Sequence, residues 1–230
     1  MFLQHYFLSH FHSDHTIGLD WTFAAGTIYC SAVTAALITH VLHVAPKFVQ
    51  PLELGKTFQI EHDMEVTAID ANHCPGSLVF LFHRPSTGQA VIHTGDFRAA
   101  SCVCTDAVLL SFLQQHTVDV LYLDTTYCKP CYTFPDQKEV LEALGEIAKS
   151  ELEREPDTVF LVGSYSIGKE RAIAAVARAL GSKCLISEQR ARVLMLAGAM
   201  DTEVFTTEDA DDVIIRVVPL GGGQMQHETM

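Results

Sequence analysis

The segment His10-Phe11-His12-Ser13-Asp14-His15 puts four potential metal ligands into six positions, directly after the apolar run Tyr6 to Leu8. On an extended segment His10 and His12 point to one side, because successive side chains alternate. A turn into a following helix then swings Asp14 and His15 toward a second point, an arrangement suited to two adjacent cations. Two later segments supply donors that these four residues lack. DANHCPGS carries His73 in a loop after one strand-like run, and TGDFR carries Asp96 in a loop after another. Loops at successive strand ends converge on one edge of a sheet, where open α/β sheets put their sites. Neutral imidazole with carboxylate and no thiolate favours zinc or a similar divalent cation with positions left open for water. Taken alone, Asp96 equally fits a turn cap, and the isolated His40, His62 and His116 fit surface or hydrogen-bonded core positions.

Positioning these donors requires a framework, and short apolar runs bounded by turn residues recur along the chain: HYFLSH, GTIYCS, MEVTAIDA, SLVFLFH, QAVIHTG, VDVLYLD and DTVFLVGS. Such runs predict buried strands. Apolar spacing of three and four predicts helices over 31–43, 136–155, 168–180 and roughly 188–199. Strand-rich sequence followed by strand-helix alternation predicts an α/β (α+β) protein, with a boundary near 124–136, where DTTYCKPCYTFPD concentrates Pro, Cys and aromatic residues. The closing PLGGGQMQHETM predicts a flexible or interrupted terminus.

With 48% hydrophobic and 19% charged residues over 230 positions, disorder and fibrous architectures are excluded. No run nears the roughly 18 apolar residues of a membrane span, and the start lacks a basic segment with a small-residue cleavage site, so a soluble, unsecreted chain with no membrane partner is expected. The net charge of −13 argues against a general electrostatic grip on nucleic acid. Residues 160–200 are the exception, with six basic residues against two acidic ones. Seven cysteines without a signal peptide suggest reduced thiols, Cys128 and Cys131 included, since a partner pair with metal-ligand spacing is missing. Trp21, Phe23 and Tyr29 are expected in the core.

GSYSIGKE, residues 163–170, follows a strand-like run, precedes a helix and nearly spells a phosphate-binding loop. Its final position is Glu170 rather than a hydroxyl residue, which sets nucleotide hydrolysis aside. Backbone amides at a helix start, together with Lys169, still suit a DNA phosphate or a 5′-phosphate end. A bland strand-to-helix turn is the other reading.

His-x-His-x-Asp-His, a later loop His and a Gly-Asp resemble the pattern of the metallo-β-lactamase fold. The surrounding words LSHFHSDHTIGL, DANHCPGS, HTGDFR, LYLDTTY, YTFP and SYSIGKE are similar to those of the β-CASP DNA-repair nucleases, the group of the interstrand cross-link repair enzymes, over roughly residues 5–190. The resemblance implies that His10, His12 and His73 hold one metal, that Asp14 and His15 begin a second site, and that Asp96 bridges the pair. Asp124 matches the acidic residue opening the β-CASP region, close behind the metals; in isolation it fits a strand-end turn. Asp14, His15, Asp96 and Asp124 are the implied catalytic residues, and Ser164, Tyr165, Ser166 and Lys169 lie on the substrate side of the cap. The implied fold is an αββα sandwich over residues 1–124 with a β-CASP α/β cap from 125, and substrate between them. The implied cofactor is zinc, one or two divalent ions with Mg or Mn as substitutes; two such ions about 3.5–4 Å apart would activate a shared water for attack on a phosphodiester. Asp124 is also suited to fixing an imidazole tautomer.

The expected activity is 5′-to-3′ exonuclease action on DNA, on 5′-phosphorylated single strands or damaged ends, in cross-link or double-strand-break repair in the nucleus. An RNA-processing nuclease or other hydrolase on the same fold is the alternative, and a non-catalytic DNA- or partner-binding remnant a third. Protein partners are not specified. The family begins upstream of the His cluster and supplies a last His ligand from a Pro-Tyr-Ser-x-His-Ser-Ser segment, whereas here Met1 lies nine residues before His10, VIIRVVP carries no histidine and His227 lacks those surroundings. An incomplete sandwich is therefore expected, with one metal site weakly formed and low or no turnover by this chain alone.

Overall fold

The strand-like runs of the first 122 residues become two sheets in the computed structural model, which describes residues 4–220. The first sheet holds β1 (His5–Phe7), β2 (Thr27–Ser31) and β3 (Val49–Leu52), all parallel, with α1 (Ala32–His40) following β2. The second runs in the order β4 (Thr57–Glu61), β5 (Met64–Asp70), β6 (Leu78–Arg84), β7 (Gln89–His93) and β8 (Val118–Tyr122). Its pairings are antiparallel except β7 with β8, whose parallel crossover carries α2 (Ser101–Cys104) and α3 (Ala107–Gln115).

Two-residue periodicity explains why β5 and β6 are apolar on consecutive positions. Val66, Ala68, Leu78 and Phe80 point to one face and pack with Tyr29 and Leu52 of the first sheet. Thr67, Ile69, Val79 and Leu81 point to the other, where Ile69, Val79 and Leu81 pack with Val103 and Phe112 of the helices. Phe7, stacked on Tyr29 at 5.1 Å and edge-on to Phe80 at 5.6 Å, ties the two sheets together. Burial of a side chain such as Phe80 is worth about 2–3 kcal/mol. With α1 packed on β2 and β3, the layers follow the expected αββα order. Ser31 caps α1 by accepting from Thr34 N–H at 3.1 Å, and Asp106 caps α3 by accepting from Val108 and Leu109 N–H at 2.9 and 3.1 Å.

The chain packs as two units, and the main division falls after Phe134, inside the 124–136 stretch singled out by composition, with Leu196–Ala199 also counted in the first unit. The second unit has a parallel sheet in the order β11 (Phe205–Thr206), β10 (Cys184–Leu185), β12 (Ile215–Pro219), β9 (Phe160–Ser164). It carries α4 (Gln137–Arg154), α5 (Glu170–Leu180) and α6 (Glu188–Leu196). Helices α4 and α5 approach so closely at Gly145 that a Cβ there would sit 3.1 Å from that of Ala179. The segment VIIRVVP, noted in the sequence only for its lack of histidine, supplies β12.

Three expectations change. No helix follows His15, where turns continue to the start of β2. Trp21 is 75% exposed rather than in the core, while Tyr29 is buried. The elements β3, β4, α2, α3, β10, β11 and β12 were not anticipated. All seven cysteines are free, as expected, and burial pushes the Cys30 thiol up to about 12. Among the described residues no helix is long and apolar enough to cross a membrane. Of the expected flexible terminus, 219–230, Pro219 instead ends β12 and Leu220 N–H donates to Ser164 O at 3.1 Å, while 221–230, with His227, lie outside the described residues.

Candidate metal centre

Every donor in the N-terminal unit follows the C-terminal end of a strand: His10, His12, Asp14 and His15 follow β1, His73 follows β5, Asp96 follows β7 and Asp124 follows β8. Backbone bonds hold the first of these segments in place, with Leu8 N–H donating to Tyr29 O and Leu78 N–H to Ser9 O, each at 2.9 Å. His15 and Thr16 N–H then both donate to His12 O at 3.1 Å, closing a turn over Ser13 and Asp14. The His73 loop is pinned by Ser77, whose buried hydroxyl accepts from His73 and Cys74 N–H at 3.1 and 3.2 Å. Arg98 N–H donates to Ala71 O at 3.0 Å, which locks the Asp96 loop onto it.

His10 Nε2 lies 2.9 Å from His12 Nδ1, and His73 Nε2 lies 3.2 Å from the same His12 nitrogen. Asp96 reaches across: Oδ2 stands 3.8 Å from His10 Nε2 and 3.7 Å from His73 Nε2, while Oδ1 stands 3.4 Å from His15 Nε2. These form two donor sets, each with its ligand atoms within 4.8 Å of one another: His10, His12, His73 and Cys74, and His10, His15 and Asp96. Cys74, adjacent to His73, thus stands within reach of the first set beside the imidazoles expected there. Asp14 Oδ2 lies 3.7 Å from His15 Nε2, at the margin of these sets, with a largely exposed side chain.

Burial pulls the pKa of His10 down from 6.5 to about 2, and His12, His15 and His73 add like-charge repulsion. Burial likewise lowers that of His73, with His12 adding to it and Asp96 opposing it. Neutral imidazoles facing a carboxylate are the donor chemistry that a divalent cation takes, so the residues fit one. Ser9 Oγ, which sequence reading passed over, is 3.1 Å from His10 Nδ1 and 3.4 Å from His15 Nδ1, leaving Nε2 of each ring toward Asp96.

Asp124 stands behind this group rather than in it. Burial raises its pKa, but hydrogen bonds from Thr126 N–H and Oγ1 and from Phe97 N–H outweigh that and hold it below the usual carboxylate range. Its own N–H donates to Thr94 Oγ1 at 2.9 Å.

Gly95 adopts φ +54, and a Cβ on it would lie 2.7 Å from that of Ser9. The variant Gly95→Ala is therefore expected to displace Ser9 and with it the His10 and His15 rings. Supporting contacts of this kind are worth about 10–100-fold in metal affinity. Isothermal titration with zinc checks this, and unchanged affinity would show that the Ser9 contacts do not set the site.

In the second unit, Ser164 ends β9, and Tyr165, Ser166 and Lys169 lie in the loop between β9 and α5. The buried Ser164 hydroxyl donates to Gly168 O at 3.0 Å, whereas Tyr165, Ser166 and Lys169 are exposed. Lys169, at φ +66, donates from Nζ to Gly163 O at 3.0 Å. The loop already holds an anion of its own: Glu170 Oε1 accepts from Gly168 N–H at 2.8 Å and from Arg190 Nη2 at 3.1 Å. Arg190, counted in the sequence only as one of the basic residues of 160–200, is buried and also donates to the carbonyls of Tyr165 and Gly168.

The model of the beta-lactamase superfamily domain matches residues 3–153. The chain is 42% identical to the DNA cross-link repair protein SNM1 of Arabidopsis thaliana over 94% of its length and 43% of the relative's. It is 39% identical to the human DNA cross-link repair 1A protein, with 94% and 20% covered, and 35% identical to the 5′ exonuclease Apollo of Gallus gallus, with 89% and 42% covered. It thus spans under half the length of these relatives. A crystal structure of a protein of unknown function from Enterococcus faecalis V583 shares the fold, with a TM-score of 0.59 at 15% identity over 95% of this chain and 59% of that one.

Proposed function

The chain belongs to the beta-lactamase superfamily, and from that premise and its likeness to the cross-link repair proteins and the 5′ exonuclease Apollo we propose that it is a β-CASP-type nuclease that hydrolyses DNA phosphodiesters with a divalent cation. The observation that carries this is the convergence of His10, His12, His15, His73 and Asp96 from three separate stretches of chain. Zinc is the proposed ion, held by His10, His12 and His73 and by Asp14 and His15, with Asp96 shared. When bound, such a pair supplies Lewis acidity toward a phosphate oxygen and brings the pKa of water toward neutrality.

The chain's own residues do the rest. Ser9 holds the imidazoles of His10 and His15 in one orientation, Asp96 offsets positive charge between them, and Asp124 braces the Asp96 loop through Phe97 N–H. Ser164 stiffens the loop from within through its bond to Gly168 O, and the exposed Tyr165, Ser166 and Lys169 are the proposed contacts of a terminal phosphate. The proposed substrate is a 5′-phosphorylated single strand or damaged end, degraded 5′ to 3′ in cross-link or end repair, and the nucleus is the proposed compartment. The words DANHCPGS and DTTY favour DNA over RNA as the nucleic acid.

Metal analysis of the dialysed chain, paired with a cleavage assay on 5′-phosphorylated DNA, tests the reading. Bound zinc that disappears in His12→Ala, with chelator-sensitive shortening of the strand, is expected. A chain that holds no divalent cation, or that shortens DNA equally in His12→Ala, overturns it. Strand binding with bound zinc but no hydrolysis would replace it by a non-catalytic binding role.

A further inference from the structure

Immediately beyond Asp124, the chain gathers three aromatic rings that the core does not use. Tyr127 lies 5.3 Å from Tyr132 and 5.0 Å from Phe134, edge-on to both, while the rings of Tyr132 and Phe134 are parallel within 4° at 6.3 Å. Their exposures are 62%, 46% and 63%. Two local turns shape the segment, from Cys128 N–H to Thr125 O and from Tyr132 N–H to Lys129 O. Tyr127 is three residues from Asp124, so their Cα atoms are at most about 11 Å apart, and ring contact keeps the other two beside it. Asp124 in turn accepts from Phe97 N–H, next to Asp96.

Charge narrows what these rings would meet. A chain of net charge −13 repels a polyanion at long range, so contacts to the bases, which do not depend on phosphate, add to whatever local phosphate contacts the metal centre and the basic loop make. Residues 125–135 contain no carboxylate and one cation, Lys129, in a chain with 28 acidic residues. Aromatic faces stack on any nucleobase, and each such contact is worth about 1–3 kcal/mol by alanine substitution.

We propose that Tyr127, Tyr132 and Phe134 form a stacking platform for the bases of a single strand beside the metal centre. The proposal rests on the DNA reading above. Its test compares fluorescence anisotropy of a 5′-phosphorylated oligothymidylate with that of an abasic strand of equal length, both phosphorothioate-linked to resist cleavage, on the zinc-loaded chain. Tyr127→Ala/Tyr132→Ala is expected to weaken the base-bearing strand by about 10-fold or more and to leave the abasic strand unchanged. Phe134→Trp, with a larger ring, is expected to keep or tighten binding at an unchanged unfolding midpoint.

Equal affinity of the variants and wild type for oligothymidylate, or equal loss on both strands, overturns the platform while leaving the nuclease reading intact. Wild type that binds neither strand overturns both. Self-association in sedimentation that the double variant abolishes would assign the rings to a contact between copies of the chain and overturn the platform alone.

Discussion

Replacing Asp96 with Asn is expected to strip bound zinc from the chain and to lower strand cleavage by more than about 100-fold. Asp96 is the residue whose two oxygens face both donor sets, with Oδ2 toward His10 and His73 and Oδ1 toward His15. Asn keeps the shape and removes the charge, so the cations would face imidazoles with no anion between them. Loss of a group that merely orients a ligand costs about 10–100-fold in affinity or activity, and loss of a ligand itself should exceed that. Zinc stoichiometry after dialysis and the cleavage rate are read together. Full zinc content and an undiminished rate in Asp96→Asn would remove the shared-carboxylate arrangement.

Arg190→Ala is expected to cost about 3–5 kcal/mol of stability in the second unit, because it leaves a carboxylate behind in a buried place. The Arg190 and Glu170 side chains are 6% and 14% exposed, with 3.1 Å between Nη2 and Oε1. The guanidinium also donates to the carbonyls of Tyr165 and Gly168, and Glu170 accepts from Gly168 N–H, bonds that an apolar pair cannot make. An apolar swap at both positions, Arg190→Met with Glu170→Leu, should therefore fail to restore stability, although such swaps are often neutral for a simple ion pair. Arg178→Ala is the comparison: its pair with Asp201, at 2.9 Å, is largely exposed, and removing it should cost about 1 kcal/mol or less. Denaturant midpoints of the three variants decide. Equal, small losses for Arg190→Ala and Arg178→Ala would show that the buried clamp adds nothing.

What could be foreseen from residue order varies with how local the cause is. Helices α4 and α5 fall within a residue or two of expectation because their apolar positions repeat every three or four residues and each ends on a local signal, such as Gly181 after α5 at φ +65. The two-residue strands β10 and β11 carry too few positions for any period to register. β4 alternates TFQIE with half-buried apolar positions at the sheet's edge, a pattern present in the sequence but weaker than those of the runs buried on both faces. Trp21 misleads for a different reason: an aromatic residue is placed in the core by its type, and only the course of the turns after His15 leaves it in solvent.

The amino-acid order by itself determined the donors' chemistry and the pairing of His10 with His12, since one extended segment carries both rings to the same side. It determined as well that the chain has the family's motifs, because those are words of a few residues. The meeting of His73, Asp96 and Asp124 with that segment was decided by tertiary structure, through the strand order β5-β6-β7-β8 and the pairing that ends β5, β7 and β8 on one edge. The Glu170 carboxylate turned into its own loop, Cys74 joining the imidazoles and Ser9 bridging two of them are likewise tertiary facts. Each depends on which side chain reaches a shared point in space, and sequence spacing constrains such meetings only within a turn or a strand.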